Sequence, residues 1–231
     1  LSPLARLDSG KPVRGGIPVC WPWFADHPLD RSAPAHGYVR TRAWSPVETS
    51  CTGAAARVVL EAPARDGDPT PLTAHLTVTL DDGLELALAT SNPTSAPIVL
   101  TEALHTYFAV SDISKVSVAG LDGAGYLDKL DGFARKRQSG SIVIDREVDR
   151  IYESAGVVSL VDHGHRRRIE VDSRGSSSTT VVWNPWIAKA ARLGDMPPDA
   201  YQRFVCIETA HAATNVATVP PGGTSELRTR L

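Results

Sequence analysis

Between residues 73 and 90 the chain alternates apolar and polar side chains with a period of two. Leu76, Val78 and Leu80 carry the first run, and Leu84, Leu86 and Leu88 carry the second. Asp81-Asp82-Gly83 lies between them and supplies a turn. A period of two puts each apolar set on one face of a pleated strand, so this segment reads as a β-hairpin with a face to bury.

The same pattern of short apolar runs punctuated by glycine and proline extends over most of the chain. Strands are expected over residues 98–110, 114–121, 141–144, 178–183, 204–209 and 225–231. A second hairpin is expected from residues 157–161 and 168–171 around His163-Gly164-His165. One helix of about two turns is expected over residues 187–193, between Pro185 and a stop at Gly194. Residues 65–71 read as a hairpin loop. No internal repeat, heptad run or linker interrupts the pattern. Many strands and almost no helix predict an all-β sandwich or barrel, and 231 residues fit a single domain over residues 1–231.

Composition excludes several classes of function. The net charge of -2 offers nothing to nucleic acid or an anionic membrane, so any anion site must be local. The triplet Arg166-Arg167-Arg168 sits beside a hairpin turn and reads as a solvated face. Cys20, Cys51 and Cys206 are scattered and odd in number, which fits neither a disulfide framework nor a zinc knuckle. A reducing cytoplasm is the expected compartment, and no apolar run has the length of a membrane span. The chain opens on Leu1 with LSPLARLDSGKPVRGG, which reads as the interior of a protein.

Three segments carry candidate chemistry. In Glu102-Ala103-Leu104-His105-Thr106-Tyr107-Phe108, His105 and Tyr107 share one strand face. A histidine there can move a proton near neutral pH or sit in the core with a satisfied hydrogen bond. In Cys206-Ile207-Glu208-Thr209-Ala210, Glu208 lies in an apolar strand. A carboxylate held out of water has a raised pKa and can act as a base, whereas one on an edge strand is solvated. The third segment is RGGIPVCWPWF at residues 14–24, followed by HGYVR at residues 36–40. Both pair glycine with arginine, which lets backbone and guanidinium approach an anion. Residues 1–42 hold six basic and three acidic side chains, a modest local excess. Glu147-Val148-Asp149-Arg150-Ile151-Tyr152 and Trp183-Asn184-Pro185-Trp186 could meet sugar hydroxyls and sugar C–H faces, or simply pack in the core.

Taken together and in this order, RGGIPVCWPWF, HGYVR, EALHTYFAV (residues 102–110), VDRIY (148–152), VVWNPW (181–186) and VCIETA (205–210) resemble the hexose-6-phosphate mutarotases. These form the glucose-6-phosphate 1-epimerase branch of the aldose 1-epimerase family. The resemblance implies a galactose-mutarotase-like β-sandwich (supersandwich) with a sugar cleft on one sheet. It implies His105 and Glu208 as the catalytic pair, with Arg14 and Arg40 on the phosphate of the substrate. It places Asp149 on a sugar hydroxyl, with His36 and Trp186 as further substrate contacts. Relatives carry further strands before RGGIP, whereas thirteen residues precede Arg14 here, so the sandwich is expected to lack its N-terminal strands.

Anomer exchange opens a hemiacetal. A base takes the O1 proton, an acid protonates the ring oxygen, the aldehyde turns, and the ring recloses on its other face. With Glu208 as base and His105 as acid, no metal, redox step or cofactor is expected. The expected partner is a small phosphosugar, bound by a monomer, with no nucleic acid and no membrane. Three other readings stay open: a mutarotase for unphosphorylated aldoses, a non-catalytic carbohydrate-binding module, and a glycoside hydrolase using Glu208 with Asp149, which would leave His105 idle.

Overall fold

The computed structural model describes residues 1–8, 10–62 and 67–231. Two large antiparallel sheets face one another. The nine-stranded sheet runs, in spatial order, Ile142–Val143, Val116–Ala119, Val157–Asp162, Arg167–Asp172, Thr224–Arg230, Leu84–Ser91, Thr73–Leu80, Ala55–Glu61 and Ser45–Thr52. The eight-stranded sheet runs Val19–Cys20, Glu102–Leu104, Phe204–His211, Thr179–Asn184, Val148–Glu153, Gly125–Asp128 and Ala134–Arg137, and Tyr107–Ala109 also pairs with Phe204–His211. A two-stranded ribbon joins Ile98–Leu100 to Ala217–Val219. No helix among the described residues is long and apolar enough to cross a membrane.

Alternation along the strands decides what goes into the sandwich. Val205 and Ile207 of the central strand pack with Val182 against Val118, Leu160 and Val171 of the opposite sheet. Leu86, Leu88, Leu76 and Leu227 do the same for the other half of the core, with Val19 and Leu104. The intervening residues Phe204, Cys206 and Glu208 therefore point to the other face of the eight-stranded sheet. That face carries the site.

The hairpin at residues 73–90 forms as expected, with Leu76 opposite Leu88 and Val78 opposite Leu86. The second hairpin also forms, as Val157–Asp162 with Arg167–Asp172, and Arg166, Arg167 and Arg168 are all exposed at its turn. Three expectations need correction. The single strand over residues 98–110 is three short ones, Ile98–Leu100, Glu102–Leu104 and Tyr107–Ala109. The chain breaks at His105-Thr106, where the His105 N–H leaves the ladder for the Pro18 carbonyl. The strand expected from residue 114 begins at Val116, because residues 113–115 form a 3-10 turn capped by the Asp112 side chain. The helix is Trp186–Ala190, shorter than expected and ending before Gly194. The sequence reading also overlooked the hairpin of Ser45–Thr52 with Ala55–Glu61, whose first strand is exposed throughout and shows no apolar alternation. Of the loop expected over residues 65–71, Arg65 and Asp66 lie outside the described residues.

Candidate active site

Strand register brings the candidate residues together. Val181 is opposite Glu208, Trp183 is opposite both Cys206 and Asp149, and Tyr107 is opposite Cys206. Cross-strand partners share a face, so Asp149, Trp183, Glu208 and Tyr107 all project to the same side. Over them lies a cavity of about 710 Å³. It is lined by Glu208, Asp149 and Trp183 from the sheet, by His105 at the break between two of its strands, and by Arg14, His36 and Arg40 from earlier in the chain. Its size suits a small-molecule site.

His105 and Glu208 form its buried floor. His105 Nδ1 lies 3.3 Å from Glu208 Oε1, and the two side chains are 8% and 1% exposed. The edge-strand reading of Glu208 is thereby excluded. His105 Nδ1 and Glu208 Oε2 are buried without a hydrogen-bond partner. Burial pushes the Glu208 carboxyl well above the usual carboxylate range, and Asp149 adds to the rise while Lys129 and Arg40 oppose it. Burial also holds the His105 imidazole well below its ordinary value, helped by His36, Arg40 and Arg14. Both shifts have the same physical origin, since a charge is costly where water is excluded. Burial therefore favours the uncharged form of the pair, with the proton on Glu208.

The two arginines differ. Arg14 is tied down: Nε donates to both carboxylate oxygens of Asp195 at 3.1 Å, and Nη1 donates to the Tyr107 hydroxyl at 2.9 Å. Burial works against its charge, but Tyr107 and Asp195 more than offset this and raise its pKa. Arg40, in the 3-10 turn Val39–Thr41, makes no ion pair among the described residues, and its Nε is buried without a partner. A half-buried guanidinium with no carboxylate beside it is a ready anion site.

His36 and Arg40 reach the cavity because the chain folds tightly against residues 21–25. A Cβ on Gly37, at φ 74°, would lie 1.9 Å from the Trp21 carbonyl oxygen, so only glycine fits there. His36 itself has φ 66°, and its N–H donates to Ala25 O at 2.7 Å. Its Nδ1 accepts from the Ala25 N–H at 3.3 Å. Burial, with the charges of Arg40, Lys129 and Arg14, lowers the His36 pKa to about 3. The ring is neutral with its proton on Nε2, and can donate to a ligand.

Asp149 is buried at the other wall. Lys129 Nζ is 3.0 Å away and Lys189 Nζ is 3.6 Å away, and Lys189 also meets Glu147 at 3.1 Å. Neither lysine was singled out from sequence. Lys129 comes from a 3-10 turn capped by Asp128, and Lys189 from the short helix. Only folding brings them beside Asp149, and nothing local in the sequence marks them. The same is true of Asp195, which lies 181 residues from its partner Arg14.

Trp186 is not brought to the cavity. Its ring meets Tyr201 at 5.1 Å and packs against the core, while the tryptophan lining the cavity is Trp183. The physical reason is the turn between them. Asn184 spends its amide on the carbonyls of Tyr201 and Phe204 and caps the Trp186 N–H, and Trp186 takes φ 53°, which swings its side chain away. His105, Cys206 and Glu208 also offer imidazole, thiol and carboxylate atoms within 4.8 Å of one another.

Two antiparallel sheets with a buried histidine–glutamate pair under a cationic cavity define a galactose-mutarotase-like β-sandwich. Residues 4–231 match the family model for aldose 1-epimerase, and the chain belongs to that family. It is 34% identical over 237 residues to a protein of Cenchrus ciliaris named "Putative glucose-6-phosphate 1-epimerase", covering 96% of this chain and 70% of the relative. A protein of the same name from Escherichia coli (strain K12) is 33% identical over 228 residues, covering 92% of this chain and 72% of the relative. The solved structure titled "Crystal Structure of a putative mutarotase (YeaD) from Salmonella typhimurium in monoclinic form" superimposes with a TM-score of 0.91 at 28% identity. The match covers 100% of this chain and 77% of that one.

Proposed function

We propose that the protein interconverts the α and β anomers of a hexose 6-phosphate, as a glucose 6-phosphate 1-epimerase, with Glu208 and His105 exchanging protons with O1 and the ring oxygen. The observation that carries this reading is the buried pair itself, an acid and a base 3.3 Å apart at the floor of a cavity. Ring opening needs one group that accepts a proton and one that donates. A pair sharing a single proton supplies both, and reclosure on the other face reverses the roles. Glu208 takes the O1 proton and His105 protonates the ring oxygen.

Burial favours the uncharged pair, and the ionic arrangement is the one that opens the ring. Sugar oxygens then provide partners for the Glu208 and His105 atoms that otherwise have none. Each positioned proton transfer contributes roughly 10²–10⁴-fold.

Arg40 holds the phosphate, with Arg14 as a second, charge-compensated contact. Arg40, whose Nε is buried without a partner and which makes no ion pair among the described residues, favours a phosphorylated substrate over a free aldose. Asp149 and His36 accept and donate to ring hydroxyls. The cavity draws on segments from Gly10 to Glu208, which supports residues 1–231 working as one domain. All three cysteines are free, Cys51 of them exposed, which supports a reducing cytoplasm as the compartment.

The test is exchange NMR at the anomeric protons of glucose 6-phosphate and of free glucose. Acceleration confined to the phosphate ester is the expected result. Equal acceleration of both sugars makes the protein a general aldose mutarotase. Binding of the ester with no acceleration of either sugar makes it a carbohydrate-binding module.

A further inference from the structure

Tyr107 touches both ends of the candidate site without lining the cavity. Its hydroxyl accepts from Arg14 Nη1 at 2.9 Å. Its ring lies parallel to the His105 imidazole, with centroids 4.9 Å apart and planes 9° from parallel. Trp183 closes on both rings edge-on, at 5.8 Å from His105 and 6.0 Å from Tyr107. No role for Tyr107 follows from the proton transfers.

A guanidinium carries five N–H groups in one rigid plane. On Arg14, Nε donates to Asp195 and Nη2 lies 2.9 Å from Asp195 Oδ2. Nη1 donates to Tyr107. One N–H on each terminal nitrogen is left for a ligand at the cavity wall. A fork held by a carboxylate along one edge can still tilt about that edge. A second anchor at Nη1 fixes its plane.

We infer that Tyr107 is a positioning residue whose hydroxyl aims Arg14 at the anionic group of a ligand while its ring fixes the plane of the His105 imidazole. One side chain thus sets the distance between the anion end and the reacting end of the site. For its catalytic half the inference rests on the phosphosugar reading. Its binding half stands without it. Asp195 is the partner anchor, and because it is charged its removal would change both aim and electrostatics. The neutral hydroxyl of Tyr107 separates the two.

Tyr107→Phe keeps the ring stack and deletes the Arg14 contact, and Tyr107→Leu deletes both. The probes are 1,5-anhydroglucitol 6-phosphate and 1,5-anhydroglucitol, which keep the ring and have no anomeric hydroxyl to react. By calorimetry Tyr107→Phe is expected to bind the phosphate ester about tenfold more weakly, the order of one hydrogen bond to a charged group. Its affinity for the unphosphorylated ring stays unchanged. In anomer exchange, Tyr107→Phe raises KM for glucose 6-phosphate with little change in kcat, whereas Tyr107→Leu lowers kcat.

A thermal melt matching the wild type shows that the Phe variant is folded. Unchanged affinity for the ester in Tyr107→Phe, or an equal loss for both ligands, overturns the inference. If the wild type accelerates no exchange, the proposed function fails, and the two affinities still decide whether Tyr107 aims Arg14.

Discussion

His105 Nδ1, at the break between Glu102–Leu104 and Tyr107–Ala109, and Glu208 Oε1 of the adjoining strand stand 3.3 Å apart, both buried, in a site where burial drives both groups toward their neutral forms. Such a pair is costly to ionise, and His105 Nδ1 and Glu208 Oε2 are buried without a hydrogen-bond partner. A site of this kind trades stability for reactivity, and the trade can be measured.

Glu208→Gln removes the acid–base partner and keeps the shape. Anomer exchange is expected to fall by roughly 10²–10⁴-fold while the phosphosugar still binds. Stability should move the other way. The folded-state pKa of Glu208 is raised, so its contribution is fully favourable below the unfolded carboxylate pKa and is lost as pH rises through the folded value. The variant should therefore melt above the wild type at neutral and alkaline pH, by about 2–4 °C for each kcal/mol relieved, with the gap closing in acid. Melting curves at several pH values read this directly, and a gap that widens in acid contradicts it.

Lys129 and Asp149 push Glu208 in opposite directions. Lys129 favours its carboxylate and Asp149 disfavours it. Lys129→Met should move the acid limb of the rate–pH profile to higher pH, and Asp149→Asn should move it to lower pH. Rate profiles for the two variants, measured with one substrate, settle the matter. Shifts of the same sign would mean that another group sets the limb.

The arginines should separate by charge compensation. Arg40 makes no ion pair among the described residues and its Nε is buried without a partner, whereas Arg14 has Asp195 at 2.9 Å. Arg40→Ala is expected to raise KM for glucose 6-phosphate about 10–100-fold with little effect on free glucose. Arg14→Ala should give a smaller loss with the same selectivity. Equal losses on both sugars would exclude a phosphate role for either residue.

Gly37 carries the loop that delivers His36 and Arg40. Gly37→Ala drives a Cβ to 1.9 Å from the Trp21 carbonyl oxygen at a backbone angle of 74°. A loss on the order of 3 kcal/mol is expected, which lowers Tm by about 6–12 °C in a chain of this size. A melt within 1–2 °C of the wild type, as for an ordinary surface change of about 0.5 kcal/mol, would show that the loop relaxes freely.

Much of the architecture is written locally. Alternation of Leu76, Val78, Leu86 and Leu88 gives a hairpin because a pleated strand turns every second side chain to one face. The sites of His105, Glu208, Arg14, Arg40, His36 and Asp149 around one cavity follow the order of motifs resembling the mutarotases. Where the alternation is absent, as in Ser45–Thr52, the strand is invisible from sequence, since it exposes both faces and is held by its neighbour's backbone.

What the sequence by itself determined is the class of fold, from the period-two alternation, and the family, from the order of its motifs, and the resemblance carried by those motifs is what singled out His105 and Glu208 as candidates. Tertiary structure alone decided which arginine is paired. Arg14 and Arg40 look alike as arginines in glycine-containing motifs, yet one is neutralised by Asp195, 181 residues away, and the other makes no ion pair among the described residues. It also decided that Trp183 and not Trp186 faces the cavity, and that Lys129 and Lys189 converge on Asp149. Charge compensation and side-chain direction depend on neighbours through space, and a run of residues carries no record of which distant strand will lie beside it.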